Sequence, residues 1–116
     1  MKIKVYIAGP YSNGDMAINV REAFKTANDL AELGFFPFVP HYTHFWHMLF
    51  PHPYEFWLSL DEAFLICCDA VYRLKGNSVG ADKEIEIAKE RNIPVFYNIN
   101  DLKSFFLNEQ HPKISR

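Results

Sequence analysis

Cysteine is scarce, with two in 116 residues, adjacent as Cys67 and Cys68. Without a C-x-x-C spacing they support neither a disulfide framework nor a zinc site, and a reducing compartment, the cytoplasm, is expected. Positive charge is not in surplus either: 12 Lys and Arg stand against 14 Asp and Glu, for a net charge of −2. No basic stripe of the kind that tracks a phosphate backbone is present, so polymeric nucleic acid is not an expected partner, whereas a single nucleotide is not excluded. Long apolar runs are also missing. The opening MKIKVYIAG is too short an apolar stretch for a signal peptide, and nothing approaches the ~18 residues of a membrane span. Neither repeats nor low-complexity segments occur.

What is present is an ordinary globular composition, 49% hydrophobic and 22% charged, at a length that predicts one domain over residues 1–116 around one core. Ile3 to Ala8 is a β-branched and aromatic run closed by Gly9-Pro10, a buried strand ending in a turn. From Asp15 to Leu33 the apolar residues recur at steps of three and four, with Gly34 where a C-cap belongs, which predicts an amphipathic helix. Phe35 to Val39 reads as a second strand stopped by Pro40, and His41 to Tyr54 as a long aromatic loop with at most one helical turn. Glu55 to Cys67 is a strongly apolar helix, Ala70 to Leu74 a strand, Gly76-Asn77 a turn, Ser78 to Arg91 a helix, Ile93 to Tyr97 a strand and Asp101 to Leu107 a short closing helix. Alternation of this kind predicts an α/β fold, a single-domain Rossmann-like three-layer sandwich with a parallel sheet of four to five strands. Ligands bind such sheets beyond the carboxyl ends of the strands. Those ends carry Gly9-Pro10-Tyr11-Ser12, His41 to His44, and Lys75 to Ser78.

Helical neighbours lie three and four residues apart, so each acidic residue can be asked what surrounds it. Glu86 has Asp82, Lys83, Lys89 and Glu90, an ordinary solvated face. Glu84 has Gly80, Ala81, Ile87 and Ala88, which sets a carboxylate on the apolar face near the start of its helix. Burying a charge without a partner is costly, so this position reads either as a functional acid or as a half-buried Glu paired with a cation or capping the helix. Asp61 has Trp57, Leu58, Phe64 and Leu65, but Glu62 beside it is similarly surrounded, and the helix is expected to bury most of its circumference. If Asp61 meets Glu84, the two could divide the work as the carboxyls of retaining glycosidases do, one attacking an anomeric carbon and the other assisting the leaving group.

Three motifs stand in order along Lys4 to Phe96: Val5-Tyr6-Ile7-Ala8-Gly9-Pro10-Tyr11-Ser12; Asp61 followed by Cys68-Asp69-Ala70-Val71; and Ser78-Val79-Gly80 leading to Glu84-Ile85-Glu86-Ile87-Ala88. Together they resemble the nucleoside 2-deoxyribosyltransferase superfamily, which includes the 2'-deoxynucleoside 5'-phosphate N-hydrolases. The resemblance implies a glycine loop after the first strand, a glycine turn at Ser78-Val79-Gly80, Glu84 as nucleophile, Asp61 positioning or protonating, and Tyr6 orienting the nucleophile or sugar. It further implies substrate contacts at Gly9, Pro10, Tyr11, Ser12, Ser78 and Gly80. Members acting on nucleosides usually carry Asp where this chain has Ser78, and the monophosphate hydrolases carry a phosphate-contacting Ser. A hydroxyl and the amides of a helix start favour an anion. The expected activity is therefore cleavage of the base from a (deoxy)nucleoside 5'-monophosphate, although Pro10-Tyr11-Ser12-Asn13-Gly14 lacks the hydrolases' basic residue. No cofactor or metal is implied, and a homodimer or higher homo-oligomer is expected, since sites of this family are often completed by a neighbouring subunit.

His41, His44 and His47 are spaced by three and could share a helical face as metal ligands, but no carboxylate joins them. Base recognition is the better reading for His41, just past the second strand. Phe45, Trp46, Phe50 and Trp57 read equally as a subunit interface. Two rival functions stay open: base exchange between nucleosides, and a non-catalytic nucleotide-binding module that kept the fold.

Overall fold

The computed structural model describes residues 2–107. Four short parallel strands form one sheet in the order β2-β1-β3-β4: β1 (Lys4–Ala8), β2 (Phe36–Phe38), β3 (Ala70–Arg73) and β4 (Val95–Phe96). Five helices connect and cover them: α1 (Met16–Glu32), α2 (Thr43–Leu49), α3 (Tyr54–Leu65), α4 (Val79–Glu90) and α5 (Ile99–Leu107). The fold is the expected Rossmann-like α/β sandwich. Because side chains alternate along a strand, Val5 and Ile7 pack with Ala23, Ala27 and Leu30 of α1 and with Leu102 and Phe106 of α5, while Tyr6 and Ala8 pack with Leu65 of α3 and Ala81, Ile85 and Ala88 of α4. The sheet is thus covered on both faces, which is why its strands read as continuous apolar runs.

The sequence signals for α1 act as they should. Asp15 Oδ1 accepts from the amides of Ala17 (2.9 Å) and Ile18 (3.1 Å), capping the first turn. At the other end Phe35 N–H bonds Leu30 O (3.1 Å) and Gly34 N–H bonds Ala31 O (3.0 Å), a Schellman closure with Gly34 at φ +98° and buried Phe35 against buried Leu30. In the edge strand β2, Phe36 N–H donates to Ile3 O (2.9 Å), so Pro37 turns its ring nitrogen, which has no hydrogen, to the outer side of the sheet.

Three local expectations are corrected. The stretch from His41 is not a long loop: a 3-10 turn (Pro40–Tyr42) runs into the seven-residue α2, because no glycine or proline interrupts the chain between Pro40 and Pro51. Phe50, which precedes Pro51, adopts φ −139° and ψ 88° and ends the helix. Helix α3 does not bury most of its circumference; Leu65 is its one buried residue, and Tyr54 and Phe64 are exposed. It also stops at Leu65, so Cys67 and Cys68 lie beyond it rather than within it.

The loops after β1 and β3 are fitted against each other through two glycines. A Cβ on Gly9 would stand 2.6 Å from Leu74 Cδ1, and one on Gly76, at φ +112°, 2.8 Å from Pro10 Cγ. The glycine turn is therefore at Gly76, whereas Gly80 sits inside the first turn of α4, where a Cβ would make ordinary contact with Tyr54 Oη at 3.6 Å. Gly76→Ala combines a forbidden φ with a clash and is expected to cost more than about 2 kcal/mol in urea unfolding, whereas Gly14→Ala (φ +89°, open space around it) should cost about 1 kcal/mol. Equal costs would mean that the contact between the two loops is not under constraint.

Candidate active site

The order β2-β1-β3-β4 sends the connections after β1 and β3 to opposite faces of the sheet, and a crevice opens where they part. A cleft of about 590 Å³ lies there. Its walls come from the ends of β1 and β2, from α2 and α3 and from the start of α4.

Glu84 lies in this cleft. Helix α4 presents Ala81, Glu84, Ile85 and Ala88 to the sheet, an i, i+3, i+4, i+7 stripe in which one of four core positions is a glutamate. Glu84 is 9% exposed. On the facing strand, alternation turns the fully buried Tyr6 the same way, and Tyr6 Oη donates a hydrogen bond to Glu84 Oε2. Burial pushes the Glu84 carboxyl up to about 8; the Tyr6 hydrogen bond opposes the rise, the charge of Asp61 adds to it and that of Arg73 subtracts. The Tyr6 phenol is raised well above its ordinary value, by burial first and then by Glu84.

Asp61 lines the same cleft from α3, and burial raises its carboxyl to about 7. Its Oδ1 is buried with no hydrogen-bond partner. Tyr54, Trp57, Leu58 and Asp61, again at i, i+3, i+4, i+7, form the cleft-facing stripe of α3. Exposed Glu62 and Glu86 lie outside it.

The remaining predicted site residues divide. Gly9, Tyr11, Ser12, His41, Ser78 and Gly80 all line the cleft, whereas Pro10 does not: it is buried against Gly76 and offers only its carbonyl, to His41. His41 Nε2 lies 2.8 Å from Pro10 O, so that nitrogen carries the hydrogen and Nδ1 keeps a lone pair, buried and without a partner. Burial lowers the pKa of this ring, and the bond to Pro10 only partly offsets it. Ser78 is the N-cap of α4; its Oγ accepts from Ala81 N–H at 3.1 Å, which leaves the hydroxyl hydrogen available to a ligand oxygen. Val79 and Gly80, the first helical residues, have amides with no intrahelical acceptor.

The three spaced histidines do not converge. His41 holds Pro10 O, His44 Nδ1 pairs with Tyr11 Oη, and His47 Nδ1 receives Trp57 Nε1–H at 2.9 Å. Among the described residues no group of three His, Cys, Asp or Glu is placed to hold a metal ion. The four aromatics read as a possible interface also part: Trp46 and Trp57 pack on each other (5.0 Å between centroids, 84°), while Phe45 and Phe50 are exposed.

Several contributors were not singled out from the sequence. Arg73 Nη2 holds Gly76 O (3.0 Å) and Asp82 Oδ1 (3.1 Å), and its Nη1 holds Leu74 O, which fixes the turn that leads into α4. Asn19 Nδ2 ties Tyr11 O and Asn13 O, and Asn13 Nδ2 reaches Asn77 O, joining the two loops at the mouth of the cleft. Nothing in the sequence marks these ties. The spacing of Tyr54, Trp57, Leu58 and Asp61 was a usable signal.

A family model described as a domain of unknown function (DUF7768) matches residues 3–98. The chain belongs to that family. No curated protein matches the sequence. Among solved structures, a 2-deoxyribosyltransferase from the psychrotolerant bacterium Bacillus psychrosaccharolyticus is similar to this DUF7768 chain, with a TM-score of 0.61 and 19% identity over 83% of this chain and 75% of that one. At that identity the likeness is one of fold.

Glu84 titrates near 8 when folded, above the ~4.3 of an unperturbed glutamate, so the native state holds this proton more tightly than the unfolded chain does. The resulting stability is complete below about pH 4 and is lost as pH rises through about 8. Glu84→Gln keeps the shape and cannot ionise. Its urea midpoint should fall less than that of the wild type between pH 5 and pH 9, with a gap at pH 9 on the order of a few kcal/mol. Parallel curves would mean that Glu84 titrates as an ordinary surface carboxyl.

Proposed function

We propose that the chain breaks the N-glycosidic bond of a nucleoside or its 5'-monophosphate, with Glu84 as the attacking carboxylate. The observation that carries this is the hydrogen bond from Tyr6, buried behind the cleft, to Glu84, whose carboxyl lines the cleft together with the unpartnered carboxyl of Asp61. A carboxylate in an apolar helical stripe is costly to fold around, and one held by a tyrosine at the switch point of the sheet is positioned to attack.

In the reaction Glu84 Oε attacks C1', the bond from C1' to the base nitrogen breaks, and its electron pair leaves with the base. Asp61, protonated, supplies the proton that the base takes up. The result is a glycosyl ester on Glu84. Water, giving its proton to the Asp61 carboxylate, then attacks C1' and releases free sugar, which restores both acids. The phenol of Tyr6 favours the ionised form of Glu84 before the attack. The alternative acceptor is a second base, which would make the chain a deoxyribosyltransferase; the fold shared with the Bacillus psychrosaccharolyticus enzyme favours keeping that reading beside hydrolysis.

A 5'-phosphate would meet Ser78 Oγ–H and the amides of Val79 and Gly80. Among the described residues no lysine or arginine lines the cleft, and Arg73 is spent on Leu74, Gly76 and Asp82. A helix start alone favours an anion by about 1 kcal/mol. The preference for monophosphates over nucleosides is therefore expected to stay within about tenfold in kcat/KM.

The test is chromatographic: nucleosides and 5'-monophosphates, deoxy and ribo, with and without a free acceptor base. Base release should fall below about 10⁻³ of wild type in Glu84→Ala and about 10- to 100-fold in Tyr6→Phe. Exchange that outpaces release would assign the transferase reading, and binding without turnover would assign the non-catalytic one. Activity needs Glu84 ionised and Asp61 protonated, so kcat/KM should rise with pH up to about 7 and fall above about 8, a bell centred between the two with only a minority of molecules in the productive state. In Tyr6→Phe the descending limb should move to higher pH and the maximum should fall, because the bond that favours ionised Glu84 is gone. An unmoved limb would sink the role given to Tyr6.

A further inference from the structure

The wall of the cleft one turn along α3 from Asp61, at Trp57, has a polar feature that the mechanism does not use. His47 of α2 faces the cleft there, and its Nδ1 receives two donors: Trp57 Nε1–H at 2.9 Å and the backbone N–H of His52 at 3.3 Å. A ring nitrogen that accepts hydrogen bonds carries no hydrogen, so the neutral imidazole must carry its own on Nε2. Packing holds the arrangement. His52 stacks on Phe56 (4.3 Å, 23°), and Trp46 meets Trp57 edge-on, so neither donor to His47 can swing away without breaking an aromatic contact.

We propose that His47 is a specificity-determining residue, locked by Trp57 and His52 as the Nε2–H tautomer so that it donates to an acceptor atom, a carbonyl oxygen or ring nitrogen, of a nucleobase. Placement along α3 supports the assignment. Trp57 is four residues before Asp61 on the same stripe, about 6 Å along the helix axis. A sugar whose C1' lies at the carboxyls therefore directs its base towards Trp57 and His47. A hydrogen bond at that point strengthens as negative charge moves onto the departing base, so it serves selection and bond breaking together.

The inference rests on the nucleoside reading of the cleft, and its test is chosen to stand apart from turnover. Free adenine, guanine, cytosine, uracil and thymine are titrated calorimetrically into wild-type protein, His47→Phe and Trp57→Phe. Long-range 1H–15N spectra of labelled protein report the tautomer. Wild type should show His47 as the Nε2–H form, with its resonances moving when the preferred base is added. His47→Phe should weaken that base about 10- to 100-fold and flatten the ranking of the five. Trp57→Phe, which keeps the ring and removes the donor, should mix the tautomers and weaken binding by a smaller factor, and it carries the test if His47→Phe does not fold. Unchanged affinity and ranking in both variants, or no binding of any base to wild type, would overturn the proposal. If bases bind as described and no nucleoside is cleaved, the glycosidase reading fails and this one stands. If nucleosides are cleaved with unchanged base selectivity in His47→Phe, the reverse holds.

Discussion

The arrangement of this molecule turns on one buried contact, the hydrogen bond from Tyr6 to Glu84. It joins the central strand to the helix that covers it, at a position where the packing pattern calls for an apolar side chain. Around it the chain spends much of its loop chemistry. Gly9 and Gly76 let the loops after β1 and β3 close on each other, Arg73 fixes the turn before α4, and Ser78 caps that helix so that Glu84 falls about one and a half turns from its start. Each of these sets the height and rotation of α4 over β1. A shift of a few tenths of an ångström there would change how far the phenol compensates for a desolvated carboxyl.

Burial raises the pKa of both acids, and they meet it differently. Glu84 has a donor, whereas Asp61 has a bare oxygen and a pKa raised to about 7. Environments that hold two carboxyls in unlike circumstances are how a single fold obtains an acid and a base from one residue type. Asp61 Oδ1 and His41 Nδ1 are both buried polar atoms without a partner within the protein, which leaves them free to pair with a substrate.

Much of the fold was legible because its signals are local. Asp15 and Gly34 bracket α1, and a continuous β-branched and aromatic run closed by Gly9-Pro10 marks β1. Glu84 was legible for the same reason: Gly80, Ala81, Ile87 and Ala88 around it can be read from spacing alone. Asp61 was less so, since its helix is apolar on sides that the structure leaves exposed, and hydrophobicity without a polar face does not say which side is inward. The partners of His41, His44 and His47 could not be read at all. Spacing by three predicts a shared face, but His41 belongs to the 3-10 turn before the helix, and each ring is claimed by a different long-range neighbour. Pro10 was misplaced for a related reason: it sits in the loop expected to touch a ligand, but its ring is needed against Gly76.

The proline in β2 reaches beyond the site. Outer strands of open sheets are templates on which other chains can add by backbone pairing, with fibrous aggregation as the extreme result. Here one margin is three residues long with Pro37 at its outward position, and the other, β4, is two residues long. Neither offers the run of free amides that an incoming strand needs. A small parallel sheet at high concentration in a cell is thereby shielded from edge-to-edge polymerisation, and copies of this chain that meet must do so through side chains rather than by extending the sheet.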